Sequence, residues 1–386
     1  MKKTADVVVI GGGAAGTSTA YYLAKLGVKN VVLVEQEYTP FGGTGRCAAH
    51  FRVQFGSVSN CKLGLLSVRE FDKLGEESGY GDLEIDKHGY LIAAYTEDEL
   101  TKLTAHVKLQ NSMGIPTKIL DPAGCKEVAP YLEVDEILGG SYCGGQGGIA
   151  GGVINPMKMA LAFKKGAADR GVEFYNYTKV TGIRVESGKV KGVITNQGEI
   201  ETPCVVNAAG EYGKFIGRMA GVKIPVEPEK HQIAITEPLD YMGGPMVYSF
   251  KYHTYIAQVK HGGFLFGWSD PNVEAGIIDF NPEWRVLEEL AVRVVRQVPA
   301  LKNVRIIRHW AGQYGNCPDH SVILGPVPEV EGFICALGCT KATMFAPAMG
   351  ILTAEAVAGV EPTLPMAPYL IERFAKGELV IDPALL

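Results

Sequence analysis

The most informative pattern of apolar and polar positions lies in the first 35 residues. The apolar run Val7–Ile10 leads into a glycine-rich turn, a helical pattern follows, and a second apolar run, Val31–Val34, ends at Glu35. This order predicts a strand, a tight turn, a helix and a second strand that ends in an acid.

The rest of the chain alternates helical and strand patterns. Helical periodicity and capping residues predict helices over residues 58–78, 97–113, 282–297 and 345–359, with a further helix entry at Asn155 and Pro156. Apolar alternation and turn residues predict strands over 83–95, in short hairpins between 172 and 206, through 223–281, and over 333–337.

Together these elements predict an α/β fold: a Rossmann-like nucleotide domain joined to an α+β substrate domain with a mixed or antiparallel sheet. The two domains are discontinuous in sequence. We expect residues 1–80, 146–222 and 315–386 in the nucleotide domain, and residues 81–145 and 223–314 in the substrate domain.

Composition narrows the class of protein. The net charge of −5 gives no basic surface, so we expect no nucleic-acid partner. The eight cysteines form no C-x-x-C pair, and Cys204 and Cys335 lie in apolar runs, which indicates buried thiols and a cytoplasmic protein. No apolar run is long enough to span a membrane.

The glycines at 11, 13 and 16 match the dinucleotide-binding fingerprint in its required context. Gly11 permits the turn, Gly13 lets the backbone approach a pyrophosphate, and Gly16 lets helix and strand touch. The helix N-terminus offers N–H groups to phosphates. Glu35, 19 residues after Gly16, can accept a ribose hydroxyl. The alternative is a glycine-rich strand turn in another α/β fold.

A second glycine-rich loop, residues 41–52, contains Arg46 and Arg52 among small residues. Backbone N–H groups and a guanidinium could there reach the same anion. The alternative is a flexible surface loop. A third glycine cluster, Gly144–Gly152, precedes the helix entry at Asn155.

These residues resemble the D-amino-acid-oxidase superfamily of FAD enzymes over nearly the whole chain. Within it they are most similar to the β subunits of heteromeric sarcosine oxidase and L-proline dehydrogenase complexes. The resemblance rests on the fingerprint and Arg46 loop, on Val206-Asn-Ala-Ala-Gly210, and on the more specific runs Glu227–Gln232 and Met246–Tyr252. It implies oxidation of the C–N bond of an amino acid, usually a secondary amine, by hydride transfer to flavin N5.

The resemblance also implies roles for individual residues. Arg52 matches an arginine that clamps the substrate carboxylate, Tyr255 an active-site tyrosine, and His231 a residue near the flavin ring. Lys341 stands where relatives have a histidine, and could serve the carboxylate or the flavin; the alternative is an exposed loop lysine. The predicted cofactor-binding residues are Gly11, Gly13, Ala14, Ala15, Gly16, Glu35, Gln36, Thr44, Gly45, Arg46, Cys47, Ala48, Ala49, Val180, Ala208, Ala209, Gly210, Gly312, Gly338, Thr340, Lys341, Ala342, Thr343 and Met344.

Three departures from the family pattern bear on how the flavin is attached and on the electron acceptor. Gly312 stands where monomeric sarcosine oxidases have a flavin-linked cysteine, so we expect non-covalent FAD. The cluster near Gly151 lacks the FMN-linked histidine of heterotetrameric relatives, which leaves a non-covalent FMN at a subunit interface open. No lysine occurs between Phe264 and Phe280, where oxidases of the family activate oxygen.

Three functions follow as expectations. The first is an amino-acid dehydrogenase that acts as the catalytic β-type subunit of an electron-transferring complex. The others are a stand-alone sarcosine or glycine oxidase that produces hydrogen peroxide, and a flavin-carrying subunit without its own substrate. An NAD-dependent dehydrogenase would explain the fingerprint but not the arginine loop. No metal is expected.

Overall fold

The computed structural model describes residues 1–145, 148–268 and 270–382. Nine α-helices lie in these ranges, numbered α1 to α9: Ala14–Lys25, Val58–Glu77, Glu97–Ser112, Pro122–Val128, Pro156–Ala168, Gly213–Met219, Trp284–Gln297, Ala342–Ala358 and Glu372–Lys376. The same ranges contain strands β1 to β19: Val7–Ile10, Val31–Val34, His50–Phe51, Tyr90–Ala94, Lys118–Leu120, Gly139–Cys143, Gly152–Val153, Glu173–Tyr175, Val180–Glu186, Lys189–Thr195, Gly198–Glu201, Val205–Asn207, Glu227–Thr236, Met246–Ser249, Thr254–Gln258, Phe264–Trp268, Ile306–Asn316, Ile323–Pro326 and Phe333–Leu337. The middle of the cluster Gly144–Gly152, the predicted boundary at residue 146 and residues 383–386 lie outside the described residues.

A six-stranded sheet carries the glycine fingerprint. Its strand order is β18-β19-β12-β1-β2-β8, and all pairs are parallel except β18 with β19. Val8 lies opposite both Val32 and Val205. Because the carboxyl ends of β1, β2 and β12 meet at one edge, the sheet brings together three segments that are distant in sequence.

Both faces of this sheet are covered, which explains why its strands are continuously apolar. Val7 and Val9 belong to a core cluster shared with α1, α5 and α8. Val8 and Ile10 belong to a second cluster shared with α6 and the three-stranded sheet β11-β10-β9. Alternate residues of one strand therefore stabilise two different layers.

An eight-stranded sheet, ordered β17-β13-β16-β15-β14-β4-β6-β5, forms the second large layer. Its pairs are antiparallel except β14 with β4. Helix α7 covers it by packing Val286, Leu290 and Val294 onto apolar residues of the sheet. A two-stranded sheet pairs β3 with β7, so that His50 lies opposite Val153.

The predicted helices are confirmed to within a few residues, and three of them begin at a capping side chain. Ser57 and Thr96 accept hydrogen bonds from backbone amides at the starts of α2 and α3, and Thr96 forms a full capping box with Glu99. Asn155 caps α5 in the same way, ahead of Pro156.

The predicted strand 83–95 is wrong in length. Only Tyr90–Ala94 is a strand, and its five residues are all buried rather than alternating. The physical reason is that both faces of β4 are covered: Leu91 and Ala93 belong to the core cluster that includes α7, and Tyr90, Ile92 and Ala94 to another cluster with Leu103 of α3. Asp86 makes an isolated bridge to Val153 instead of extending the strand.

The cysteines of the described chain are all thiols without a disulfide. Cys335 is buried, as expected, and Cys204 is half-buried. No helix within the described ranges is long and apolar enough to cross a membrane.

Candidate active site

The glycine turn between β1 and α1 can only be built from glycine. Gly11 has φ +112° and a Cβ atom on it would lie 2.5 Å from the Ala208 carbonyl oxygen; one on Gly16 would lie 1.9 Å from the Gly11 carbonyl oxygen. Ala208, directly after β12, therefore packs against the backbone of the Gly11 turn. This contact leaves the N-terminus of α1 open toward a ligand.

Glu35 is fixed beside that turn by backbone hydrogen bonds. Its Oε2 accepts from the Gly12 amide at 2.6 Å and its Oε1 from the Glu37 amide at 2.9 Å. Burial raises the pKa of the carboxyl, and the two amide hydrogen bonds oppose that rise. Each oxygen keeps a second lone pair, which a ribose hydroxyl can use.

The Arg46 loop packs against the same turn. Thr44 Oγ1 accepts a hydrogen bond from the Ala14 amide at 2.9 Å, and the indole of Trp310 donates to the Arg46 carbonyl at 2.9 Å. The Arg46 guanidinium lies between two aromatic rings, 4.2 Å from the centroid of Phe41 and 4.4 Å from that of Phe280. Both rings line the cavity described next.

A cavity of about 570 Å³ connects these pieces. Its lining contains most of the predicted site residues: Gly11, Gly13, Ala14, Ala15, Glu35, Gln36, Thr44, Cys47, Ala48, Ala49, Val180, Ala208, Ala209, Gly210, Tyr255, Gly338, Thr340, Ala342, Thr343 and Met344. Other predicted residues lie outside the lining: Gly16, Gly45, Arg46, Arg52, His231, Gly312 and Lys341.

One part of the cavity is lined by the phenols of Tyr90, Tyr255 and Tyr314, together with Met246. Burial raises the pKa of each phenol, that of Tyr255 well above its usual value. All three side chains are therefore neutral hydrogen-bond donors near neutral pH. This part of the cavity is aromatic and uncharged, with polar atoms at defined points.

Arg52 and His231 lie behind this aromatic lining. The Arg52 guanidinium is 5.5 Å from the ring centroid of Tyr90 and 4.8 Å from that of Phe55. The His231 ring stacks on Tyr314 at 4.1 Å, and its Nε2 lies 2.9 Å from a carboxylate oxygen of Glu229. Both residues contact a tyrosine that lines the cavity.

Lys341 is buried, so the alternative of an exposed loop lysine is wrong. Its side chain is 2% exposed and its ammonium donates to the His320 carbonyl. Burial lowers the pKa of Lys341 to about 8, and the negative charge of Asp382 opposes that change. The residue immediately precedes α8.

The N-terminus of α8 faces the cavity, because its first residues, Ala342, Thr343 and Met344, line it. Cys339 and Thr340 before it have positive φ angles of 36° and 77°, which turn the chain sharply between β19 and α8. Amides at such a helix start favour negative charge on a ligand.

Many residues of the cavity lining were not predicted, among them Tyr90, Tyr314 and two further titratable residues, His50 and Glu211. His50 is buried, and burial lowers its pKa to about 3, while its Nδ1 lies 2.7 Å from the Ala48 carbonyl oxygen. Glu211 is 6% exposed and has a pKa raised to about 7, mainly by burial and then by the charge of Glu35. An acid directly after the Ala-Ala-Gly strand end was the available signal for Glu211.

The site fits the FAD that the resemblance implies. Any side chain at Gly11 or Gly16 would fill the close contacts of the turn, and Glu35 stands beside an open helix N-terminus. The cavity continues from there to a second helix N-terminus and an aromatic end. Within the described ranges, no group of three or more His, Cys, Asp and Glu residues could hold a metal ion.

Comparison with known proteins agrees with this geometry. The chain is 30% identical to human mitochondrial sarcosine dehydrogenase over 97% of its length, but it spans only 42% of that protein. It is 28% identical to the sarcosine oxidase subunit beta of Rhizobium meliloti, covering 97% of this chain and 89% of the relative. The crystal structure of L-proline dehydrogenase from P. horikoshii superimposes with a TM-score of 0.92 at 35% identity, covering 98% of this chain and all of that one.

A family model for FAD dependent oxidoreductases matches residues 6–356. The match includes the glycine turn, both arginines of the loop and the start of α8. The chain belongs to the FAD dependent oxidoreductase family known as DAO.

Proposed function

We propose that this chain oxidises the C–N bond of an amino acid, a secondary amine such as L-proline or sarcosine, as the catalytic β-type subunit of a dehydrogenase complex. One observation carries the proposal. A single cavity joins a dinucleotide-binding turn to an uncharged pocket of three tyrosines. The likeness to a proline dehydrogenase and to sarcosine oxidase β subunits supports the substrate class.

FAD is the cofactor of this family, and when bound it supplies the two-electron acceptor for the oxidation. Glu35 would hold the ribose, and the positive end of the α1 dipole at Gly13, Ala14 and Ala15, which line the cavity, would face the pyrophosphate. The N-terminus of α8 would favour negative charge on the ring system. We propose that the FAD is non-covalent, because Gly312 has no side chain to which a flavin could be attached.

The tyrosine pocket would select and prepare the substrate. Enclosure by Tyr90, Tyr255 and Tyr314 excludes water, which disfavours a charged amine and favours the neutral form whose lone pair can assist oxidation. The neutral phenols can donate hydrogen bonds to a carboxylate. Arg52, behind Tyr90, would add positive potential for that carboxylate, and its field acts on the Tyr90 phenol.

The division into two domains is likewise proposed. The six-stranded sheet draws its strands from residues 7–34, 173–207 and 323–337, and the eight-stranded sheet from 90–143 and 227–316. This pattern supports a nucleotide layer and a substrate layer that are each assembled from separate parts of the chain. The cavity is lined by residues of both sheets.

Electron transfer to a partner, rather than to oxygen, is proposed from the absence of lysine between Phe264 and Phe280. The test is an anaerobic screen of amino acids and N-methyl amines with the FAD-loaded chain. Reduction of the flavin by L-proline or sarcosine supports the proposal, and rapid peroxide formation in air would favour a stand-alone oxidase. No reduction by any substrate would indicate a flavin-carrying subunit without its own substrate. Flavin analysis of a purified complex would test for an interfacial FMN.

A further inference from the structure

Glu211 is a buried acid that faces the cofactor cavity. It lies in the short turn Gly210–Tyr212 that follows β12, is 6% exposed, and lines the cavity. In the described parts of the chain its carboxyl makes no ion pair, and the hydrogen bond that acts on it comes from its own backbone amide. Beyond that one hydrogen bond, the carboxyl keeps hydrogen-bonding capacity that a ligand in the cavity can use.

Glu211 lies beside the glycine loop that packs on the start of α1. Cβ atoms built on Gly42 and Gly43 would lie 3.5 Å and 3.9 Å from its two carboxyl oxygens. The next residue, Thr44, is hydrogen-bonded to the Ala14 amide at the start of α1. Glu211 therefore flanks the segment that borders the phosphate-binding helix N-terminus.

Burial and the neighbouring charges raise the pKa of this carboxyl to about 7, so much of it is protonated near neutral pH in the FAD-free protein. Burial and the nearby Glu35 carboxylate oppose its ionisation. Arg46 favours ionisation, but less strongly, and its guanidinium is held between two aromatic rings. The adjacent Tyr212 has its pKa raised by burial and stays neutral. A bound diphosphate would add further negative charge and oppose ionisation more strongly.

We propose that Glu211 is a cofactor-binding residue that acts as a neutral carboxylic acid and donates its O–H to an oxygen of the FAD diphosphate. Phosphate oxygens accept hydrogen bonds but cannot donate them when ionised, so the proton must come from the protein. FAD binding is thereby linked to one proton. Affinity is full while Glu211 is protonated and falls as rising pH ionises it in the FAD-free protein.

The test is the FAD dissociation constant of the full chain, measured from flavin fluorescence between about pH 6 and about pH 8.5. The pKa of about 7 predicts that wild-type affinity falls by about tenfold for each pH unit above that value. Glu211→Gln keeps a donor at every pH, so its affinity should equal that of wild type at low pH and lose this dependence. Glu37→Gln, a nearby carboxylate outside the lining, should keep the wild-type slope.

Two results would overturn the proposal. One is an unchanged pH slope in Glu211→Gln. The other is loss of FAD at every pH in that variant, which would mean that an ionised carboxylate accepts hydrogen bonds from the cofactor. Glu211→Leu is a second variant that lacks any donor, and it should bind FAD weakly with no slope. Since no substrate is used, these outcomes are independent of the proposed amino-acid oxidation.

Discussion

At the scale of single residues, burial sets the charge state of several groups in and around the cavity. The tyrosines of the pocket are kept neutral, His50 is kept neutral, and Lys341 is held inside the protein. A fully solvated version of the same residues would bind a charged amino acid less selectively, because water would compete for each hydrogen bond.

Tyr255→Phe tests the tyrosine pocket. Loss of the phenol should leave FAD content unchanged and lower kcat/KM for the amino acid by about tenfold, the effect of losing one hydrogen bond to a charged group. Tyr248→Phe is the matched control, because Tyr248 pairs with Tyr255 across β14 and β15 but lies outside the lining. Equal losses in both variants would contradict the assignment of Tyr255 to the site.

Lys341 predicts a specific dependence of stability on pH. Its pKa falls from 10.5 to about 8 in the folded protein, so between these values the unfolded chain binds more protons and the contribution of Lys341 to stability rises with pH. The melting temperature of wild type minus that of Lys341→Met should therefore increase as pH rises through this interval. Lys376→Met, at an exposed lysine, is the control and should give no such trend. If the difference in melting temperature between wild type and Lys341→Met does not change with pH, Lys341 is not buried in solution.

At the scale of elements, we propose that the unit β1–turn–α1 positions the cofactor, and its turn has no space for added side-chain atoms. Gly16→Ala should lower FAD affinity by at least about tenfold, since its Cβ would lie 1.9 Å from the Gly11 carbonyl oxygen and must displace α1. Gly182→Ala on β9 is the control, because its nearest neighbour would be an Ile194 methyl at 3.4 Å. The measurement is a titration of both variants with FAD. Normal FAD binding by Gly16→Ala would contradict the close contact between α1 and the Gly11 turn.

Helices and strands could be predicted from the sequence where neighbouring residues determine their ends. Helix α2 begins after the Ser57 cap, and β19 matches the predicted Phe333–Leu337, because caps and short apolar runs are encoded in neighbouring residues. The position of β4 between β14 and β6 could not be predicted. Tyr90 pairs with Met246, which is far away in the sequence, and no local pattern indicates that pairing. The same limit affected the site. The glycine turn was found from its motif. An acid after the Ala-Ala-Gly strand end was a local signal for Glu211, but its burial against Gly42 and Gly43 depends on the packing of distant segments.

At the scale of the whole molecule, a buried ion pair helps to fix the end of the described chain against the loop before β18. Arg373 Nε and Nη2 donate to Asp319 at 2.7 Å and 2.9 Å, and the two side chains are 1% and 0% exposed. Asp319 also accepts from the Val380 amide at 3.0 Å. The pair thus joins α9 and the following residues to the loop before β18.

Arg373→Met should lower the free energy of unfolding by about 3–5 kcal/mol, because it leaves a buried carboxylate without its partner. The double variant Asp319→Asn, Arg373→Met should recover part of that loss, since the uncompensated charge is removed. Chemical denaturation of the three proteins measures both effects. A single variant as stable as wild type would show that the ion pair is not buried in solution.

The most direct test of the central claim is the absorbance of the FAD-loaded chain after anaerobic addition of L-proline or sarcosine. The proposed amine dehydrogenase should lose its oxidised flavin band with one of these amines, and its electrons should then pass readily to an artificial dye but slowly to oxygen. An unchanged flavin band with every secondary amino acid, in a chain that has bound its full complement of FAD, would contradict the proposed function.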